Sequence, residues 1–333
     1  MDPNQQFQPP PPPDIKGEPE RRRPANLMFA GIGLVVIGVV VVVLGLPMIN
    51  FIVGGIGTGL ALCALGILFF GFSFMRYPAV DNPPPKMSTP ATLTGIFFEP
   101  TNVFRNLRAH PRWLGAILIA GMMNAAYATA FVHRLTPERI INFTVEKLEE
   151  SPFKPPPEAL DKMRTEGVAQ QKAATQQIGN AVRVIAGEFF SVAFIAALCL
   201  LGVLVFGGRM HYWQTYAVIA YVAFPFTLIQ KGISFIILYI KSPDDIHPIL
   251  NQESLVYDNL GLLVSGKDHP VLFVVAAFIG VLSFYRLWLT ATGLREGGYK
   301  VSSSAGWGTA IVIFILRLLF LLTIAALFGS FFG

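Results

Sequence analysis

Charge is scarce in this chain. Only 14% of its residues are Asp, Glu, Lys or Arg, against about 25% in ordinary soluble domains. That deficit excludes a conventional water-soluble fold with a charged shell. Cysteine is scarcer still: Cys63 and Cys199 are the only two, and both stand inside apolar runs. Neither a disulfide framework nor a thiolate metal site is available, and both read as small packing residues. There is no Walker loop, and no GxGxxG followed by the elements it requires. Ser265-Gly266 and Ser302–Ser304 have no convincing His or Asp partner. Asp244, Asp245, His247, Asp258, Asp268 and His269 come nearest to a metal cluster, but their spacing fits no zinc motif and reads as a solvated acidic loop. We therefore expect no enzyme activity, no metal or other cofactor and no nucleic-acid partner.

What the chain has in abundance is hydrocarbon. Hydrophobic residues make up 53% of it, and the mean hydropathy is +0.56. Apolar runs at Leu27–Ile49, Phe51–Phe74, Trp113–Phe131, Ala181–Phe206, Thr215–Tyr239, Val271–Thr290 and Ala310–Phe332 each approach the roughly 20 residues that cross a bilayer. The expected fold is all-α, a polytopic transmembrane helix bundle of about seven spans in the lipid bilayer. Residues 1–26 form a proline-rich cytoplasmic tail, read as disordered, with five consecutive prolines at Pro9–Pro13. Residues 27–74 make a tight hairpin and 75–112 a linker with a basic segment. Residues 113–333 hold five further spans and a long outer loop at 132–180.

Orientation follows from the basic residues. The tail carries Lys16, Arg21, Arg22 and Arg23, and the linker Arg76, Lys86, Arg105, Arg108 and Arg112. Arg209, Arg295 and Lys300 fall on the same side, whereas the short far-side loops hold only Lys241 and Lys267. This places the N-terminus in the cytoplasm and the C-terminus outside, in what we expect to be a bacterial inner membrane. In the long outer loop, Thr136-Pro137-Glu138 opens a helix that runs to Ser151-Pro152, and Glu158 to Asn180 predicts a polar helix leading straight into the fourth span.

Charged groups inside spans are the sharpest candidates for function, because each is costly unless paired. Glu188 and Lys231 fall at similar depth in consecutive spans and predict an ion pair, with an ion relay as the functional alternative. Arg286 and Arg317 have no carboxylate at matching depth. They predict snorkelling, or a pocket for a lipid headgroup or anion. Asn124 predicts a hydrogen bond between helices, and Gly55 and Gly59 a close helix contact, within the hairpin or in a homo-oligomer. Pro225 predicts a break in the fifth span. Val103, Phe104 and Leu107 share one face of a short helix, with Arg105, Arg108 and Arg112 around the other side. That pattern suits a helix lying on anionic lipid.

Phe97-Phe98-Glu99-Pro100, followed by a basic helix ending at Pro111-Arg112-Trp113, resembles the entry to the Yip1 domain family. Ala220-Tyr221-Val222-Ala223-Phe224-Pro225 and Leu287-Trp288-Leu289-Thr290-Ala291-Thr292-Gly293-Leu294 resemble its later spans. The resemblance covers roughly residues 96–332 and implies five spans with a cytoplasmic N-terminus. Eukaryotic relatives are associated with small GTPases, but their Asp-Leu-Tyr-Gly-type signature has no counterpart here, so the likeness runs to the bacterial branch.

Two functions follow. The first is a membrane-organising scaffold or adaptor that recruits a cytoplasmic protein through the basic loop or the proline-rich tail. The second is a small transporter or channel subunit using Glu188 and Lys231. A polar cavity at mid-membrane favours the second; a bundle closed by Phe and Leu favours the first.

Overall fold

A computed structural model describes residues 21–22, 27–47, 52–78, 80, 82–151, 154–266 and 268–327; the proline-rich tail expected at 1–26 lies almost wholly outside them. Twelve α-helices are described. A two-residue antiparallel pairing of Arg21–Arg22 with Tyr77–Pro78 is the only regular strand contact among these residues. The architecture is an all-α bundle.

Helices α1 (Met28–Leu44) and α2 (Gly55–Phe74) form the hairpin. Two short helices follow at one end of the bundle, α3 (Thr89–Phe98) and α4 (Pro100–Ala109). α5 (Leu114–Leu135) leads to the opposite end, where α6 (Pro137–Glu150) and α7 (Pro157–Lys172) lie. The chain returns through α8 (Ala174–Val205) and α9 (Tyr212–Ile240), then closes with α10 (Pro270–Phe278), α11 (Val281–Gly297) and α12 (Ser303–Leu327). Pro100, Pro137, Pro157 and Pro270 each open a helix. A missing N–H is harmless there, and the fixed φ suits the first turn.

Five of these helices, α2, α5, α8, α9 and α12, are long and apolar enough to cross a bilayer, and α1 is a shorter apolar helix. The protein is an integral, multi-pass membrane protein. The expected sixth span, however, is two pieces. α10 ends at Phe278, Ile279 and Gly280 leave helical geometry, and α11 starts at Val281. Pro225, where a break was expected, instead lies inside a continuous and tightly packed α9. Neighbouring elements enclose that helix, and such packing lets a membrane helix carry a proline.

A second expectation also changes. The polar helix does not run straight into the fourth span, because α7 stops at Lys172 and Ala173 takes an extended conformation before α8. Tertiary packing explains the turn. Leu160 and Val168 fold back against Ile141 and Val145 of α6, and Arg164 pairs with Glu149 at 2.9 Å.

Gly31, Gly38 and Gly45 recur every seven residues along α1 and meet α2 backbone to backbone. A Cβ at Gly59 would sit 2.5 Å from the Gly38 carbonyl, and one at Gly55 would sit 2.8 Å from the Gly45 Cα. The Gly55–Gly59 spacing thus packs within the hairpin. A leucine at either Gly38 or Gly59 is expected to cost about 1–3 kcal/mol of stability by forcing the helices apart. Gly33→Leu is the control, since nothing lies within 4 Å of its added Cβ. Thermal unfolding of the purified variants measures the contrast; equal melting temperatures would disprove the close contact.

Candidate functional site

The few polar residues of the long helices converge on one cavity of about 390 Å³. Asn124 comes from α5, Glu188 and Ser191 from α8, and Thr227, Gln230 and Lys231 from α9. Arg286 of α11, Arg317 of α12, and Gln252 and Glu253 of the loop after α9 complete the lining. Gln252 and Glu253 are exposed.

Glu188 accepts a hydrogen bond from the Asn124 amide at 3.1 Å, which ties α5 to α8. Lys231 donates to the backbone carbonyl of Glu253 and stands 4.7 Å from the centre of the Tyr127 ring. Glu188 and Lys231 therefore share the cavity, but no N···O contact within 4.0 Å makes them the direct ion pair expected from the sequence. The loop after α9, read from sequence as solvated, turns inward and takes the ammonium.

Arg286 and Arg317 are the two cations left over. Among the described residues, neither guanidinium has a hydrogen-bond or ion-pair partner; Arg286 lies 5.1 Å from the Phe226 ring centre and Arg317 5.9 Å from that of Phe278. Their like charges repel each other. A ring contact contributes about 0.5–2 kcal/mol, while an arginine at mid-bilayer costs about 2.5–3.5 kcal/mol on insertion scales. The rings alone leave a shortfall, which Glu188 and Glu253 across the cavity, together with water or an anion, cover.

The inward loop is firmly built. Ile246 and Leu255 are fully buried beside Tyr127, Phe131 and Leu238. The Tyr127 hydroxyl donates to the Asn251 carbonyl at 2.8 Å, and Ser234 accepts from the Leu255 N–H at 3.0 Å. Farther along, Asp258 reaches the break between α10 and α11. Its carbonyl accepts from the Val281 N–H at 3.3 Å, and its carboxylate accepts from the Leu282 N–H at 2.6 Å. A carboxylate thus caps the exposed start of α11, where the helix dipole favours negative charge. Glu253 was missed by sequence reasoning, and Asp258 was read only as part of a solvated acidic loop. The signal that could have found them is the apolar pair Ile246 and Leu255, which bounds a stretch otherwise read as solvated.

At the α4 end the bundle is sealed by rings. Phe69 and Phe72 of α2, Phe189 of α8, and Trp213 and Tyr216 of α9 surround Trp113. Trp113 and Trp213 stack at 5.9 Å, and Phe72 meets Trp213 at 4.8 Å. Glu188 and Phe189 are adjacent in sequence, so α8 passes directly from the polar lining to this aromatic floor.

The basic segment does not lie on lipid through its apolar face. Val103, Phe104 and Leu107 are buried, and Phe104 seats against Gly293 of α11, where a Cβ would come within 3.0 Å of its ring. Arg105 pairs with Glu296 at 2.8 Å. Burial pushes the Glu296 carboxyl up, but hydrogen bonds from Arg105 and Arg295 outweigh it and hold the group below the usual carboxylate range. Arg108 and Arg112 are half-buried, and Arg108 Nε and Arg112 Nη2 are buried without a hydrogen-bond partner. The apolar stripe found a better surface in the glycines of α11 than in the bilayer interface.

His247 controls the shape of the inward loop. Its Nδ1 accepts from the backbone N–H groups of Ile249 and Leu250 at 3.2 and 3.1 Å, which requires an unprotonated nitrogen. Burial, helped by Lys147 and Arg139, pushes its pKa below the ordinary 6.5. The folded loop therefore excludes a proton that the opened loop accepts, so stability is full above about pH 6.5 and falls as the pH drops through that value. Hydrogen-exchange protection over residues 249–255 should decrease from about pH 7.5 to about pH 5.5 and lose most of that dependence in His247→Asn. A flat profile in the unmodified protein would refute the role of His247.

A family model described as Yip1 domain matches residues 94–325. No curated protein and no solved structure matches the chain. The matched region takes in α4 to α11 and nearly all of α12, while the glycine hairpin lies before it. With the match extending over well more than half of its length, the chain belongs to the Yip1 domain family.

Proposed function

We propose that this protein binds an anionic ligand inside the membrane, in the cavity that Lys231, Arg286 and Arg317 share, and that it acts as a small transporter rather than as a catalyst. One observation carries the reading: three cations converge on an open space with only two carboxylates, Glu188 and Glu253, and neither arginine has a carboxylate within 4.0 Å. The carboxylates nearby, Glu188 and Glu253, leave a net positive lining. Phosphate and carboxylate groups match a guanidinium fork, which explains the use of arginine rather than lysine at both inner positions.

The arrangement also suits access from one side. The aromatic floor closes the bundle toward α4, while the opposite end is covered by the loop that His247 shapes and by α6 packed against it. The expected orientation puts that opposite end outside the cell, in the bacterial inner membrane. The scaffold or adaptor role draws less support from the basic segment, whose apolar face is packed into the bundle. Glu188 and Asn124 complete the site as acceptor and donor for a ligand that carries both kinds of polar group.

Inorganic phosphate is a suitable first probe. Its binding to the purified full chain, read by isothermal titration, should weaken at least about tenfold in Arg286→Gln and in Arg317→Gln, the loss of roughly one charge-assisted hydrogen bond. Arg76→Gln, an exposed arginine outside the cavity, should leave it unchanged. Phosphate binding that survives removal of both inner arginines would overturn the proposal.

A further inference from the structure

The two arginines line more than the polar cavity. A second space of about 330 Å³ runs between α8, α9, α11 and α12, and Arg286 and the exposed Arg317 line it as well. Apart from Thr290 its remaining lining is apolar, with Phe194, Leu198 and Cys199 of α8 and Ile313, Leu316 and Phe320 of α12 among it. Phe194, Leu316 and Phe320 are exposed, and α12 is little buried along its length, so this groove is open on the flank of a membrane helix. The polar cavity and the groove thus meet at one pair of guanidinium groups.

We infer that the ligand is an anionic phospholipid, seated with its phosphate headgroup at Arg286 and Arg317 and an acyl chain in the groove between α8 and α12. This rests on the function proposed above and names its ligand class. A free inorganic anion would use the arginines but gain nothing from a flank of Phe, Leu and Ile. A neutral lipid would fill the groove and leave the arginines unmatched. An anionic lipid satisfies both, and the surrounding bilayer supplies it without passage through water. Arg317 is also fourteen residues beyond Ser303 in α12, about 21 Å along the helix at 1.5 Å per residue. A headgroup held there stands inside the hydrocarbon layer rather than at its surface. The site therefore suits a lipid in transit or in capture, not one of the annular lipids that merely surround a membrane protein.

The test uses the full chain in nanodiscs containing phosphatidylglycerol with a photoreactive acyl chain. In the unmodified protein, labelling should concentrate on Phe194–Cys199 and on 310–320, and Arg286→Gln or Arg317→Gln should reduce it at least about tenfold. Leu198→Trp and, from the opposite wall, Ile313→Trp should lower labelling by a similar factor while inorganic phosphate still binds. The two readings fail differently. Labelling spread evenly over the outer faces of α1 and α12, or unaffected by filling the groove, overturns the lipid inference even if phosphate binding persists and the cavity reading stands. Phosphate binding that ignores the arginines overturns the cavity reading itself.

Discussion

Everything inside this bundle is arranged around the cost of ionic charge in a medium that cannot solvate it. Hydrocarbon offers no water to a guanidinium or a carboxylate, so every such group must find a partner, a ring face or a wet cavity. Glu188 finds the Asn124 amide, and Lys231 finds the carbonyl of Glu253 and the face of Tyr127. Arg286 and Arg317 find ring faces and the more distant attraction of Glu188 and Glu253. The same constraint explains the inward loop, since Glu253 and Asp258 bring further acceptors to Lys231 and to the start of α11. It explains as well why the break between α10 and α11 is tolerable. Its freed N–H groups are taken by Asp258, and broken backbone at membrane depth persists only where protein or a cavity satisfies it.

Helix packing at either end follows a second and simpler rule, that surfaces which cannot be wetted must fit. On the hairpin, glycines at seven-residue intervals let α1 and α2 touch through their backbones. At the α4 end, bulky rings from three helices interlock around Trp113. Small residues close one contact and large ones the other. Between the two kinds of packing the polar cavity holds helices apart, which is where a ligand can be received.

How much of this was legible in the sequence depends on the kind of force involved. Transfer to hydrocarbon acts segment by segment, so run length and composition placed the long helices and the hairpin well. Proline marked helix starts for a local reason, and the residues that resemble Yip1 domains point to the family shown by the match at 94–325. What was not legible is what depends on contacts far apart in the chain. The inward loop turns on Ile246 and Leu255 meeting Tyr127, more than a hundred residues earlier, and composition alone described it as acidic and wet. The seat for Phe104 needs Gly293, nearly two hundred residues later. The Glu188–Lys231 pairing failed for the same reason, because matching depth does not show that a third segment will intervene.

The break in the expected sixth span shows how those two levels combine. Val271 to Thr290 reads as one apolar run, and nothing local in Phe278-Ile279-Gly280 demands a stop stronger than a single glycine. The stop comes from Asp258, Asn259 and Leu260, which pair with Val281, Gly280 and Ile279, and the first two would collide with any side chain at Gly280. Glycine permits the close approach, the loop exploits it, and the restarted helix then projects Arg286 from its second turn into the cavity. An unbroken helix would not present its first N–H groups to Asp258 at all. The discontinuity, the loop and the arginine are therefore one device, and the positive lining of the cavity is a consequence of how this chain crosses the membrane rather than an ornament on it.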